Sequence, residues 1–272
     1  MKEDFNNPLI SIITVCFNSE KTIKKTIESV LKQTYKNYEY IIIDGKSTDN
    51  TIKIVESYLP LFEGRLRYIS EKDTGIYNAM NKGINNCKGE LIGILNSDDF
   101  YATNTLQLVV EEYEKEKYPF IIINGDMERV DSEDNVVFRY RFSYKMIDNK
   151  ECFGHPSMFA AKAVYDRIGL YDETYKLAAD GEWQYRAHDD SKVRYVLVSE
   201  VFNHMREGGA SDAFNYRWAW FKERSRMKIE HNKASRLVIY WQEFKSVIRT
   251  DIKNILPASL KTKMYEMRYK NR

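Results

Sequence analysis

From Leu9 onward, short runs of Ile, Val and other apolar residues take turns with amphipathic helical patterns, and this alternation constrains the fold class most strongly. LISIITVCF gives way to KTIKKTIESVLKQ, then YEYIIIDG, TIKIVESYL, LRYIS, GIYNAMNKGINNC and ELIGILNSDD, a strand and a helix in turn. Residues 11–17 and 40–43 are rich in Ile and Val without strict polar alternation, as expected of strands covered on both faces. The pattern predicts an α/β fold: a Rossmann-like, mostly parallel sheet flanked by crossover helices. A helix over 103–117 and a strand over 120–124 continue it. The rhythm then changes, and residues 126–140, alternating around DSEDN, predict a β-hairpin laid onto the sheet. Helical patterns return at 162–168 and 180–188, with a strand at 193–199. MREGGASD, residues 205–212, predicts a mobile loop and a boundary.

Cutting the chain at that boundary divides its charge. Residues 213–272 hold 15 Lys+Arg against 5 Asp+Glu, a balance of +10, which leaves −8 on residues 1–212. The expected organisation is therefore one large domain over 1–212 and a basic amphipathic helical tail over 213–272. In the tail, Leu237, Tyr240, Trp241, Phe244, Val247 and Ile248 recur at helical spacing beside Arg236, Lys245 and Arg249, and a second stripe of Leu260, Met264 and Met267 follows Pro257. Such helices suit an anionic membrane surface; packing on the main domain or a homodimer contact through the tail aromatics would leave the same stripe. No nucleic-acid-reading motif accompanies the basic residues. The polar start, residues 1–8, lacks the apolar stretch of a signal peptide, and no apolar run approaches membrane-spanning length. Three widely spaced cysteines, Cys16, Cys87 and Cys152, read as reduced core thiols. The expected location is cytoplasmic, with the tail peripheral on the cytoplasmic face of the membrane.

In open α/β sheets ligands bind beyond the carboxyl ends of the strands. Asp44 closes YIIID, Asp73 follows RYISEK, and Asp98 with Asp99 follows LIGILNS. Asp73 and Asp49 each precede a helical pattern and are expected to cap it. The adjacent pair is different: neighbouring carboxylates repel, and a hard cation such as Mn2+ or Mg2+ relieves that repulsion while it bridges diphosphate oxygens.

The blocks SIITVCFN, IIIDGKSTDNT, DTGIYNAMNKGI and LNSDDF stand in the order and near the spacing of the family 2 glycosyltransferases, and the chain resembles them over about residues 8–211. The resemblance implies the GT-A fold and an inverting transfer from a nucleotide-diphosphate sugar, expected to be a UDP-sugar, to a glycan or lipid-linked acceptor. It places Thr14, Phe17 and Glu20 along the wall of the base site, with Asp73 on the same donor side, and gives Asp44 the imide N–H of the base. Lys46 stands where the family often has a smaller residue. Asn81 and Lys82 are expected beside the diphosphate, a plain solvated lysine being the competing reading of Lys82. Asp98 is expected to face the ribose or metal, and Asp99 to ligate the metal. In AADGEWQYR the resemblance makes Asp180 the general base, preferred over Glu182, with helix capping as its other role; Gly181 replaces a bulkier residue. Trp183, Glu182 and His155 are placed on the acceptor side, and His204 on the metal.

Two other classes compete. A sugar nucleotidyltransferase also joins an α/β sheet to metal-bound carboxylates, but its first loop is usually glycine-rich, and FNSEKT contains no glycine. A non-catalytic nucleotide- or carbohydrate-binding module is the third reading.

Overall fold

The computed structural model describes residues 7–208, 217–231 and 235–255. The first half alternates as the sequence predicts: β1 (Ile10–Cys16), α1 (Ile23–Leu31), β2 (Tyr38–Asp44), α2 (Thr51–Tyr58), β3 (Leu66–Ser70), α3 (Ile76–Asn86) and β4 (Leu91–Ile94). Every residue of β1, β2 and β4 is buried, which accounts for the mostly apolar, non-alternating runs, with Ser11, Thr14, Glu39 and Asp44 as buried polar members. Ile23, Thr26, Ile27 and Val30 form the inward stripe of α1.

The second half holds β5 (Phe100–Tyr101), α4 (Thr105–Glu116), β6 (Ile121–Val130), β7 (Val136–Tyr140), α5 (Tyr144–Asp148), β8 (Met158–Ala161), α6 (Lys162–Ile168), α7 (Ala179–Asp189), β9 (Arg194–Arg206), α8 (Arg217–His231) and α9 (Arg236–Ile255). The sheet runs in the order β3-β2-β1-β4-β8-β6-β9-β5, with β7 paired to β6 as the predicted hairpin. Strands β3, β2, β1 and β4 are parallel. Strand β8 is antiparallel to both β4 and β6, and β9 is parallel to β6. The strand order reverses at β1, which sets the ligand crevice beyond the carboxyl ends of β1 and β4.

Several expectations are corrected. The strand expected at 193–199 continues through Arg206, because β6 offers it a partner edge as far as Val130. Met205 and Arg206 therefore belong to β9 rather than to a loop. Residues 209–212 of the expected loop, and the stripe of Leu260, Met264 and Met267, lie outside the described residues. Asp73 is not the N-cap of α3: Gly75 holds that position, and Asp73 Oδ1 accepts its N–H at 3.0 Å. Asn50 is the N-cap of α2, while Asp49 accepts the Thr51 N–H at 3.0 Å from one residue earlier. All three cysteines are free thiols, with burial raising Cys87 to about 11, Cys152 to about 12 and Cys16 further.

Candidate active site

The loops after β1, β2, β3 and β4 meet at one rim. Ser19 Oγ lies 2.9 Å from Ser97 Oγ, joining the first loop to the loop of the carboxylate pair. Thr26 of α1 donates to the Asp99 carbonyl at 2.7 Å and fixes the backbone beneath the pair. Gly45 allows a close approach there, since a Cβ at that position would sit 2.6 Å from Asp73 Oδ2 and 3.4 Å from the Phe17 ring. Phe17 is 62% exposed and Asp73 partly exposed, so an aromatic face and a carboxylate stand open beside Gly45. Lys46 follows with φ +70°, in the left-handed region that glycine occupies more readily.

Asp99 is only 2% exposed, whereas Asp98 is half-buried. The Arg206 N–H donates to Asp99 Oδ1 at 3.1 Å and Asn96 Nδ2 to Oδ2 at 3.3 Å. These bonds do not offset desolvation. Burial, reinforced by the Asp98 charge, pushes the Asp99 carboxyl well above the usual range, and burial raises Asp98 too. Asn96 Oδ1 is buried with no hydrogen-bond partner. Two desolvated carboxylates and an idle amide oxygen make a hard, oxygen-rich donor set that fits Mn2+ or Mg2+. Among the described residues no three His, Cys, Asp or Glu side chains converge as a ligand set, so the remaining ligands would come from phosphate oxygens or water.

Asp180 lies in the first turn of α7, and the Tyr77 hydroxyl of α3 donates to its Oδ1 at 2.8 Å. Burial, then the Asp180 charge, raises the Tyr77 pKa well above normal, so the phenol stays protonated and remains a donor. Because α3 begins three residues after Asp73, one short helix ties the donor rim to Asp180. Below lies an aromatic floor: Tyr77 and Tyr171 have centroids 5.7 Å apart, and Tyr171 Oη is 2.9 Å from His155 Nε2. The approach to α7 is held from the tail. Glu223 of α8 accepts the N–H groups of Lys176, Leu177 and Ala178 at 2.8, 2.8 and 3.0 Å. A Cβ at Gly181 would come 3.2 Å from Met227 Sδ, so the glycine gives α8 a close seat on α7 and a larger residue would make the Met227 side chain shift by a few tenths of an ångström.

Other expected site residues are placed elsewhere. Thr14 is fully buried and accepts the Tyr40 hydroxyl at 3.0 Å, because it faces the interior of the sheet. Asp44 is also fully buried; Ser47 Oγ and Ser70 Oγ donate to it at 2.5 and 2.6 Å, so it braces its own loop rather than facing a ligand. Glu20 Oε2 accepts the Asn50 backbone and side-chain N–H groups at 3.0 and 2.9 Å. Asn81 clips α3 to the 171–173 loop, bonding both the N–H and the carbonyl of Tyr171. Lys82 is not simply solvated: its Nζ pairs with Glu71 at 2.7 Å and donates to the Lys72 carbonyl at 2.9 Å, which ties it to the loop after β3. Glu182 accepts from Arg186 Nε at 2.9 Å, and Trp183 is a core residue whose indole N–H reaches the Gly169 carbonyl at 2.8 Å. His155 is buried under Tyr171, and burial lowers its pKa. His204 stacks on Phe100, with Nδ1 3.2 Å from Glu128 Oε2; it is not gathered with Asp98 and Asp99 into a ligand set. Sequence reasoning missed Tyr77, Glu223 and Arg206, although Tyr77 stands inside the quoted GIYNAM block.

Residues 11–172 match the family described as Glycosyl transferase family 2. The chain is similar to the PGL/p-HBAD biosynthesis glycosyltransferase of Mycobacterium tuberculosis, 27% identical over 208 residues covering 75% of this chain and 80% of that protein. It is also similar to the chondroitin synthase of Escherichia coli, 32% identical over 206 residues, 74% of this chain but 28% of that longer protein. Among solved structures, S. aureus TarS 1-349 in complex with UDP-GlcNAc superposes with a TM-score of 0.65 at 19% identity, covering 85% of this chain and 69% of that one. The mannosyltransferase PcManGT of Pyrobaculum calidifontis, in complex with GDP-Man and Mn2+, gives 0.59 at 16% identity, covering 96% and 73%. At such identities these two structures speak for the fold, a GT-A sheet flanked by helices. With the family match spanning more than half of its length, the chain belongs to glycosyl transferase family 2.

Proposed function

We propose that the chain moves a sugar, with inversion, from a UDP-sugar to a hydroxyl of a glycan or lipid-linked acceptor, and that Asp180 is the general base. The observation that carries this reading is the desolvated Asp98–Asp99 pair at the switch point of the sheet, with Asp180 held by Tyr77 on a helix that starts from the same rim. The UDP-GlcNAc and UDP complexes of TarS support a UDP donor, while the GDP-Man and Mn2+ complex of PcManGT supports a divalent cation and keeps GDP-sugars in the test.

Phe17 offers its exposed ring to the base, and Asp73 accepts the imide N–H in the role first given to Asp44. Asp98 and Asp99 would hold Mn2+ or Mg2+, which when bound neutralises the charge of the diphosphate leaving group. Tyr77 occupies one oxygen of Asp180 and fixes the carboxylate orientation, leaving the other to take the acceptor hydroxyl's proton as that oxygen attacks the anomeric carbon. Opposed entry and departure invert the anomeric centre.

Nucleotide release from a panel of UDP- and GDP-sugars, with Mn2+ and an acceptor panel, tests the reading. UDP release is expected to depend on acceptor, and Asp99→Ala and Asp180→Asn are each expected to lower it by about 100-fold or more. Near-normal transfer by either variant overturns the site assignment, and UDP binding without turnover across the panel favours a binding module.

A further inference from the structure

Helix α9 is turned with its apolar stripe outward. Leu237, Trp241, Phe244 and Ile248, at i, i+4, i+7 and i+11, are 82%, 58%, 38% and 42% exposed. The face that packs on α8 instead carries Ile239 and Glu243, both nearly fully buried. Glu243 receives Arg224 Nε at 3.1 Å and Lys228 Nζ at 2.7 Å. The single acid between residues 236 and 250 is thereby withdrawn and neutralised, while Arg236 and Lys245 are exposed, with Lys245 Nζ 4.9 Å from the Trp241 ring centroid. Trp218 of α8 is also exposed, and the ring contacts Trp218–Phe221 and Phe221–Tyr240 carry the aromatic surface from one helix to the next.

An apolar stripe of this length, rimmed by cations and rich in Trp and Tyr, needs an occupant that is apolar within and anionic at its edge. A second copy would bring two strongly basic segments face to face, because residues 213–272 carry +10. Nucleic acid answers the charge but offers no apolar layer for Leu237 and Ile248. Among the described residues no helix is long and apolar enough to cross a membrane. We propose that α9, continued by Trp218, is a docking surface for an anionic lipid bilayer: the helix lies in the interfacial plane, its apolar stripe enters the headgroup boundary, and Arg236 and Lys245 meet lipid phosphates.

Vesicle binding requires no donor or acceptor, so failure here leaves the transfer reading untouched. The full chain is sedimented with vesicles of phosphatidylcholine alone and with about 30% phosphatidylglycerol, an example composition of roughly physiological anionic content. Binding is expected on the anionic vesicles, weakened about tenfold or more on neutral ones and by raised salt. Trp241→Glu/Phe244→Glu and, separately, Arg236→Glu/Lys245→Glu are expected to weaken it at least about tenfold with UDP binding unchanged. No binding, equal binding to both vesicle types, or wild-type binding by either double variant overturns the proposal. A concentration-dependent dimer in analytical ultracentrifugation, abolished by Trp241→Glu, also overturns it and makes the face a contact between copies.

Discussion

Replacing Asp99 with asparagine should stabilise the ligand-free protein while destroying its response to donor and metal. The carbonyl oxygen of the introduced amide keeps the Arg206 N–H, which in the wild type lies 3.1 Å from Asp99 Oδ1. The introduced amide donor points to Asn96, and a flip of the Asn96 side chain brings in Oδ1, which at present has no partner. One neutral hydrogen bond adds about 1 kcal/mol. Removing an uncompensated charge from a nearly fully buried site beside a like charge adds about 1–3 kcal/mol more. The sum, about 2–4 kcal/mol, corresponds to a Tm increase on the order of 5–10 °C for a chain of this size. The pH dependence has a definite sign. Because the Asp99 pKa is raised on folding, wild-type stability falls as pH rises from the unfolded value, about 3.9, through the folded one. The gap between the proteins should therefore widen from about pH 4 upward and narrow on acidification. Thermal melts across that range to neutrality and above, without ligand and with UDP and Mn2+, make the test; the ligands should raise the wild type and leave Asp99→Asn in place. A variant that melts below wild type at neutral pH without ligand, or a gap that grows on acidification, would show that the buried Asp99 charge does not destabilise the ligand-free fold.

Tyr77→Phe removes the hydrogen bond that orients Asp180, so kcat should fall about tenfold while KM for donor stays within about twofold, as steady-state rates will show. Glu223→Ala frees three N–H groups, of which only that of Ala178 belongs to a buried residue; the expected loss is about 1–3 kcal/mol in denaturant melts, with lower transfer, and Glu223→Gln should recover part of both. Lys46→Gly relieves a left-handed lysine and should stabilise the fold by about 0.5–1 kcal/mol in the same melts.

The parallel half of the sheet was legible because strands buried on both faces are rich in apolar residues without strict alternation, as β1 and β2 are despite Ser11, Thr14, Glu39 and Asp44. Strand β8 was not, since MFAA is four residues long, poor in β-branched side chains and followed at once by a helical pattern. Adjacency made Asp98 and Asp99 legible, whereas direction hid the roles of their neighbours. Asp180 and Glu182 are two residues apart on a helix, about 200° around its axis, so only one can face Tyr77. The other turns to Arg186 and lies 3.3 Å from His231 of α8. Thr14 sits on the expected strand, but its hydroxyl meets Tyr40 in the core. In the tail, the stripe of α9 was readable, yet nothing in its spacing revealed that Glu243 would be drawn inward by Arg224 and Lys228.

Calorimetric titration of UDP into the wild-type protein, with Mn2+ and again with EDTA, bears most directly on the carboxylate pair. Saturable binding is expected with the metal, and binding at least about tenfold weaker in chelator, because the phosphates then face two uncompensated carboxylates. An unchanged Kd in EDTA would contradict that expectation.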